Sequence, residues 1–510
     1  LKTRTFWEKN TFFVHFYVIL INIKVEVRFM INTKYDTKPF FDEMFTDEDH
    51  IRPHYEQVYN VISKWKDKQA AAKQSAMKRR MIEEGITFTV YKEGQDQPLE
   101  RTIPFDLIPR VIDAEEWKEL RAGIAQRIKA LNRFVHDIYH DQNIIKDGII
   151  PRSMVVANEY FRPEMKGVDV PGNTYITTGG IDLIRNSDGH YYVLEDNLRS
   201  PSGFSYLFKS RNIMNAILPD LTFSHRLRDL EPSLNRFLSA LRSLSPSTTN
   251  TEPVIALLTP GKYNSAYYEH AFLAQQMGIR LVEGYDLIYK DHKVYIKDTK
   301  GLVQLDVLYR RVDDDFLDPL SFNPNSVLGC AGIMNAYRAG NITIVNAPGT
   351  GVADDKAMYT FVPDMIRYYL KEEPMLRNVP TYIMTKPDER QYVLDHLEEM
   401  VVKETSLSGG YGMLIGPSAD KEEIERFREL IQLYPEKYIA QPTLQLSRAP
   451  ILGKQGFTPR HIDLRAFTIM GANEDIHVIP GGLTRVAMTE GSLVVNSSQG
   501  GGVKDTWVLA

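Results

Sequence analysis

A mixed α/β (α+β) protein with at least two lobes is what this sequence predicts, on three observations. Between residues 254 and 345, short β-branched runs alternate with a helical pattern, as in βαβ units. Ahead of them lie a long amphipathic helical pattern and two short strands meeting at an Asp-Gly turn. The third observation is size. A chain of 510 residues, 43% apolar and 25% charged, can bury several cores and is neither a disordered chain nor a small stapled scaffold. Lysine and arginine total 61 against 66 acidic residues, a formal charge of −5, so no overall field exists to hold a polyanion and no nucleic-acid partner is expected. The single cysteine, Cys330, cannot form an internal disulfide, which points to a cytoplasmic setting.

Taken in order, the apolar run 12–21 follows Lys2, Arg4 and Lys9 but is too short to span a bilayer. No small-residue cleavage site separates it from Lys24, Glu26 and Arg28, so neither export nor a membrane partner is expected. With Met30 opening a polar segment, residues 1–29 read as a leader outside the fold. From Asp113 on, Trp117, Leu120, Ile124, Ile128, Leu131, Phe134, Val135 and Ile138 recur at helical spacing, and Asp113 with Glu116 reads as a capping box. A second helix opens at Pro232 and gives way at 245–250, a Ser/Pro/Thr-rich linker. Strands follow at 254–258, 280–283, 306–310 and 342–345, with a helix at 266–277. Helical patterns at 388–402 and 421–433 flank a glycine-rich turn at 408–412, and strands return at 438–441, 463–470 and 476–479. The division this suggests is 30–250, 251–350 and 351–510.

The densest chemical signal is Gly179-Gly180-Ile181-Asp182-Leu183-Ile184, an Asp188-Gly189 turn, and Val193-Leu194-Glu195-Asp196-Asn197. A hairpin sets Asp182 beside the end of the second strand, and alternation puts Glu195 and Asn197 on one face and Asp196 on the other. Asp182, Glu195 and Asn197 together suit a hard cation such as Mg²⁺, although solvated strand-end polar groups would look the same. Lys403 ends a strand five residues before Ser408-Gly409-Gly410-Tyr411-Gly412, where an ammonium and free amides could surround phosphates; taken alone, this is equally a plain loop. Arg465 and Arg485 lie on strand-like segments, either as phosphate clamps or as partners of carboxylates. Arg310 and Arg311 precede Asp313-Asp314-Asp315, an ion-pair network or a substrate contact. Neither a Gly-x-x-x-x-Gly-Lys-Ser/Thr nor a Gly-x-Gly-x-x-Gly motif occurs, nor a His-Glu-x-x-His zinc signature.

Together these segments resemble the circularly permuted ATP-grasp family, in the bacterial branch similar to the synthetase domain of glutathionylspermidine synthase. The resemblance runs from about Tyr35 to Leu509. It rests on 193–203 (Val-Leu-Glu-Asp-Asn-Leu-Arg-Ser-Pro-Ser-Gly), on Ala347-Pro348-Gly349-Thr350-Gly351 with Asp354-Asp355-Lys356, and on Lys403 with the glycine turn. In ordinary members the lysines and glycine loop precede the metal-binding residues; here Asp182, Glu195 and Asn197 come first, as a permutation requires. The fold implied is a circularly permuted ATP-grasp with an additional βαβ-like substrate domain and N-terminal helices. The cofactors implied are ATP and Mg²⁺. Lys356 and Lys403 would then meet ATP, Ser408, Gly409, Gly410 and Gly412 would cover it, and Gln441 would sit in the hinge beside adenine. Arg465, Arg485 and Arg199 would stabilise the transferring phosphoryl group, and Arg310 and Arg311 would meet the substrate carboxylate. Lys403-Glu404 stands where relatives often show Lys-Pro, which implies a looser strand exit. The activity implied is ligation of a small-molecule or peptide carboxylate to an amine through an acyl phosphate. A nucleotide-binding regulatory protein without turnover and a phosphotransferase are the alternatives.

Overall fold

The computed structural model describes residues 35–47, 50–90, 99–249, 251–406, 412–453, 456–495 and 500–510. The leader 1–29, Ser408, Gly409 and Gly410 therefore lie outside the described residues. Among the described residues there are five sheets, of which three position the site. The largest has nine strands and is built around the long strand Gly456–Met470. On one side of it lies the hairpin Thr178–Arg185 and Tyr191–Asn197; on the other lie Leu483–Val486, Gly502–Val508 and, in parallel, Phe105–Ile112. The sheet thus joins strands from both ends of the chain. A parallel sheet in the order Thr343–Val345, Val307–Arg310, Ile255–Leu258 and Arg280–Val282 carries the βαβ pattern through the helix Tyr267–Met277. A four-stranded antiparallel sheet orders Tyr382–Ile383, Tyr438–Pro442, Met400–Glu404 and Met413–Ile415.

The helix Ala114–Tyr139 runs through the main core, with Ile124, Ile128, Phe134 and Ile138 fully buried as their spacing requires. Its cap differs from the expected box. Asp113 accepts from the Glu115 amide, but Glu116 turns away to take the Arg185 guanidinium at 2.8 Å and the Tyr191 hydroxyl at 2.8 Å. A cation and a phenol on the neighbouring hairpin outcompete one backbone amide. The helical pattern at 388–402 is likewise cut short. The helix is Pro387–Asp395, and at Met400 the chain becomes a strand in which Met400 and Val402 are buried on the face opposite Val401 and Lys403. A period of two and paired β-branched residues prevail over the earlier helical spacing.

Beneath the hairpin, Asp196 points away from Glu195 and forms a bidentate pair with Arg127, both contacts 2.6 Å, with neither side chain more than 1% exposed. Arg127 also donates to Asn378 Oδ1 at 2.7 Å, tying the central helix to the sheet edge. Removing one partner of such a pair strands a buried charge, a loss of about 3–5 kcal/mol. Asp196→Ala should lower the urea midpoint accordingly, and the Arg127→Met, Asp196→Leu double variant should recover much of it. A loss below about 1 kcal/mol would show that the pair does not hold the hairpin.

Candidate active site

The hairpin, the long strand and the strand Leu483–Val486 bring five charges together. Asp182 is the register partner of Glu195 on one side and of Arg465 on the other, and Asp463 is the partner of Arg485. Asp463 and Arg465 are two residues apart, so they share a face. Arg465 donates Nε to Asp182 Oδ1 at 2.6 Å and Nη2 to Oδ2 at 2.8 Å, and Arg485 Nη2 donates to the same Oδ2 at 2.7 Å. Arg485 also pairs with Asp463, its Nε lying 2.9 Å from Oδ1. Burial would raise the Asp182 carboxyl, but the two guanidiniums outweigh it and hold the group well below the usual carboxylate range. Glu195 is shifted the other way, upward, by burial and by the negative charge of Asp182, against the pull of Lys356, Arg465 and Lys403. Its Oε1 lies 3.6 Å from Arg465 Nη2.

The facing wall is the antiparallel sheet. Lys403 Nζ donates to Gln441 Oε1 at 2.8 Å. Burial lowers the Lys403 ammonium to about 8; Glu195 opposes this and Lys356 adds to it. Lys356 lines the same cleft, and its backbone amide donates to Thr405 O at 3.2 Å while Thr405 N donates to Lys437 O at 2.9 Å. Those two bonds hold the strand exit at Glu404, so it is not loose. The cleft is also lined by apolar side chains, Leu194, Val401, Met413, Ile415, Leu444 and Leu446. One cleft therefore unites Asp182, Glu195, Asp463 and Arg485 with Lys356, Lys403 and Gln441. Gly412, at φ +64°, begins the described chain on the far side of the glycine turn and is exposed.

Four expectations change. Asp182 gives both oxygens to guanidiniums, so it serves to hold Arg465 and Arg485 and is not disposed as a metal ligand. Among the described residues, no group of three or more His, Cys, Asp and Glu side chains could hold a metal ion. Arg199 faces a second cavity with Tyr160, Arg162, Asp313 and Asp315; it pairs with Asp354 at 2.7 Å, and its guanidinium lies 4.2 Å over the Tyr160 ring. Arg310 is fully buried, donating to Asn346 O at 2.8 Å, Val312 O at 2.8 Å and Ala347 O at 3.3 Å, and pairs with Asp314. Arg311 donates to Pro201 O and Ser202 Oγ, both at 2.8 Å, and pairs with Glu269 at 3.1 Å. Both guanidiniums are buried and spend most of their donors on backbone carbonyls, neighbouring hydroxyls and a buried carboxylate, so Arg311 supports the loop 198–203 and Arg310 the turn at Asn346, instead of reading a ligand.

The loop 198–203 is held by Asn346, which the sequence did not single out, and by Asp354 and Gly351 of the 347–356 motif, to which it gave no such role. Asn346 donates to Thr178 O at 2.7 Å and Leu198 O at 2.6 Å, and its Oδ1 accepts from the Thr177 and Thr178 amides. Asp354 accepts from the Leu198 amide as well as from Arg199. Gly351 lies so close that a Cβ would stand 2.7 Å from the Tyr160 side chain and 2.9 Å from that of Arg199. Asn197 donates Nδ2 to Gly180 O at 3.3 Å, which spends its donor within the hairpin. Asp463 could have been found from alternation, since it lies two residues before Arg465 on one strand.

The nine-stranded sheet and the four-stranded antiparallel sheet line opposite sides of one cleft, the arrangement of an ATP-grasp fold. Residues 109–487 match the family described as circularly permuted ATP-grasp type 2. The chain belongs to that family. An uncharacterized protein of Synechocystis is 48% identical over 475 residues, covering 93% of this chain and 98% of that one. A Frankia alni protein named "Putative glutamate--cysteine ligase 2-3" is 38% identical over 470 residues, covering 92% of this chain but 54% of its own length. Among solved structures, a glutathione synthetase-like effector from Globodera pallida, in its apo form, superposes with a TM-score of 0.58 at 11% identity, over 87% of this chain and 98% of that one. At that identity the likeness speaks for the fold alone. No helix among the described residues is long and apolar enough to cross a membrane.

The raised Glu195 carboxyl carries a stability signature. An acid whose folded-state pKa lies above its unfolded value favours folding while protonated and loses that benefit as pH rises through the folded pKa. Glu195→Gln resembles the protonated form. Without nucleotide or metal it should therefore melt at a higher temperature than the parent above neutral pH, with the gap closing as pH falls and Glu195 protonates. A parent at least as stable as the variant above neutral pH would contradict this.

Proposed function

We propose that the protein is an ATP-dependent ligase that joins a carboxylate to an amine through an acyl phosphate. The observation carrying this reading is the mixed lining of one cleft. Apolar side chains that suit adenine stand in it beside Glu195, Lys356, Lys403 and Arg485, and Arg465 approaches Glu195 from the long strand. The named Frankia relatives are ligases by title, which supports the reaction class. Their substrates are not carried over, because this chain spans about half of those proteins.

Two oxygen donors, Glu195 and the Asn197 amide, project from one face of the second hairpin strand and fit Mg²⁺, which accepts one or two protein ligands and takes the rest from phosphates and water. When bound, Mg²⁺ would neutralise phosphate charge and align the oxygens for transfer. Lys403 and Lys356 offset charge along the phosphates. Asp182 holds the Arg465 and Arg485 guanidiniums at the end where a carboxylate would take the phosphoryl group, so these donors need no reorganisation as charge moves. An amine then attacks the activated carboxyl, forming the amide bond as the acyl C–O bond to phosphate breaks and inorganic phosphate leaves.

Lys403→Ala should weaken ATP binding by about 1.5–3 kcal/mol, the worth of one charge-assisted contact, roughly ten- to a hundredfold in Kd by calorimetry. Unchanged affinity would remove the phosphate assignment. Hydroxylamine tests the reaction class, because it traps acyl phosphates as hydroxamates. With an accepted carboxylate, the parent should release ADP and form a hydroxamate, and Glu195→Ala should do neither. ADP release with a stable phosphorylated product and no hydroxamate would replace the ligase with a phosphotransferase; nucleotide binding without ADP release would leave a regulatory protein.

A further inference from the structure

Gln441 stands between two partners, and the order of the hydrogen bonds fixes which end of its amide meets which. Val401 is its direct partner across one ladder, and Lys403, two residues on, projects from the same face. Across the other ladder, Tyr382 pairs with Ala440 and Ile383 with Ile439, so Thr381 falls opposite Gln441 just beyond the paired residues. The contacts follow that register: Lys403 Nζ to Gln441 Oε1 at 2.8 Å, and Gln441 Nε2 to Thr381 Oγ1 at 3.0 Å. Thr381 in turn donates its hydroxyl proton to Val379 O at 2.9 Å. A hydroxyl has one proton, so with that proton spent on Val379 it can only accept from Gln441. The amide must then present Nε2 to Thr381 and Oε1 to Lys403. In the reverse orientation Nε2 would face the ammonium, donor against donor. Gln441 is 3% exposed, so water cannot readily replace a lost partner.

Resting on the reading of Lys403 as a phosphate contact, we propose that Thr381 is a positioning residue for nucleotide binding, acting through Gln441 to aim the Lys403 ammonium into the cleft. A neutral amide is the suitable intermediary, because it orients the ammonium while leaving its charge for the phosphates. A carboxylate there would neutralise it.

The test is calorimetric binding of ATP with Mg²⁺, and of adenosine alone, to the full chain. Thr381→Val keeps the shape but removes the acceptor; it should weaken ATP about three- to tenfold, the range of one neutral hydrogen bond, and leave adenosine unchanged. Thr381→Ser keeps the acceptor and should bind ATP within about twofold of the parent. Gln441→Leu should also weaken ATP, and adding Thr381→Val to it should cost nothing more, because the relay is already broken. The proposal falls if Thr381→Val binds ATP as the parent does, if it weakens adenosine equally, or if the Thr381 and Gln441 effects multiply. Should Thr381→Val fail to fold, the serine variant still decides, since a serine variant that folds like the parent yet loses ATP would overturn the proposal. If Lys403→Ala binds ATP as the parent does, the phosphate reading itself fails and takes this proposal with it; if Lys403→Ala loses ATP while Thr381→Val does not, this proposal alone fails.

Discussion

The Asp182 carboxylate, buried between the guanidiniums of Arg465 and Arg485, is the interaction on which the site depends. Arg465 takes its close carboxylate contacts from it, and Arg485 shares it with Asp463; an uncompensated buried charge would cost several kcal/mol. Arg485 spans Asp182 and Asp463, which locks three strands of the large sheet at one level. The cost of desolvating these groups is met by their mutual pairing. Glu195, next in the row, lies 3.6 Å from Arg465 and sits beside the negative charge of Asp182. It is the member of the row that a cation would relieve.

Around this row lies a frame whose parts look like chemistry in the sequence but work as support. Arg310 gathers the carbonyls of the turn that bears Asn346, and Asn346 joins the first hairpin strand to the loop after Asn197. Arg311 and Glu269 hold the other end of that loop, where Glu269 also accepts from the Gly203 and Ser205 amides. Asp354 closes the middle. Such contacts satisfy backbone groups that an irregular buried loop leaves unpaired, and they keep the Glu195 and Asn197 strand from drifting.

The cleft is asymmetric by construction. The large sheet contributes carboxylates and guanidiniums that pair with one another, whereas the small antiparallel sheet contributes Lys403, whose ammonium donates to a neutral amide. Burial and the nearby Lys356 make the Lys403 charge costly, as its lowered pKa shows. An anion beside Lys403 would relieve that cost.

The sequence by itself determined the local elements and the faces of their residues. Alternation put Glu195 and Asn197 opposite Asp196, and a helical period identified the buried stripe of the central helix, because both periodicities are properties of a single segment. It misjudged the helix before Met400, where a β-branched run carried both patterns, and the Glu116 cap, where a partner 69 residues away won the side chain. Only the tertiary structure decided what each charge meets. Asp182 and Arg465 are 283 residues apart, and Arg127 and Asp196 are 69 apart. A period of two says which way a side chain faces but not which strand will lie beside it; that register is set by non-local pairing and core packing. For the same reason Arg310, Arg311 and Arg199 could not be sorted from Arg465 and Arg485 by residue type, since a guanidinium serves a carbonyl, a carboxylate or a phosphate equally well until its neighbours are in place.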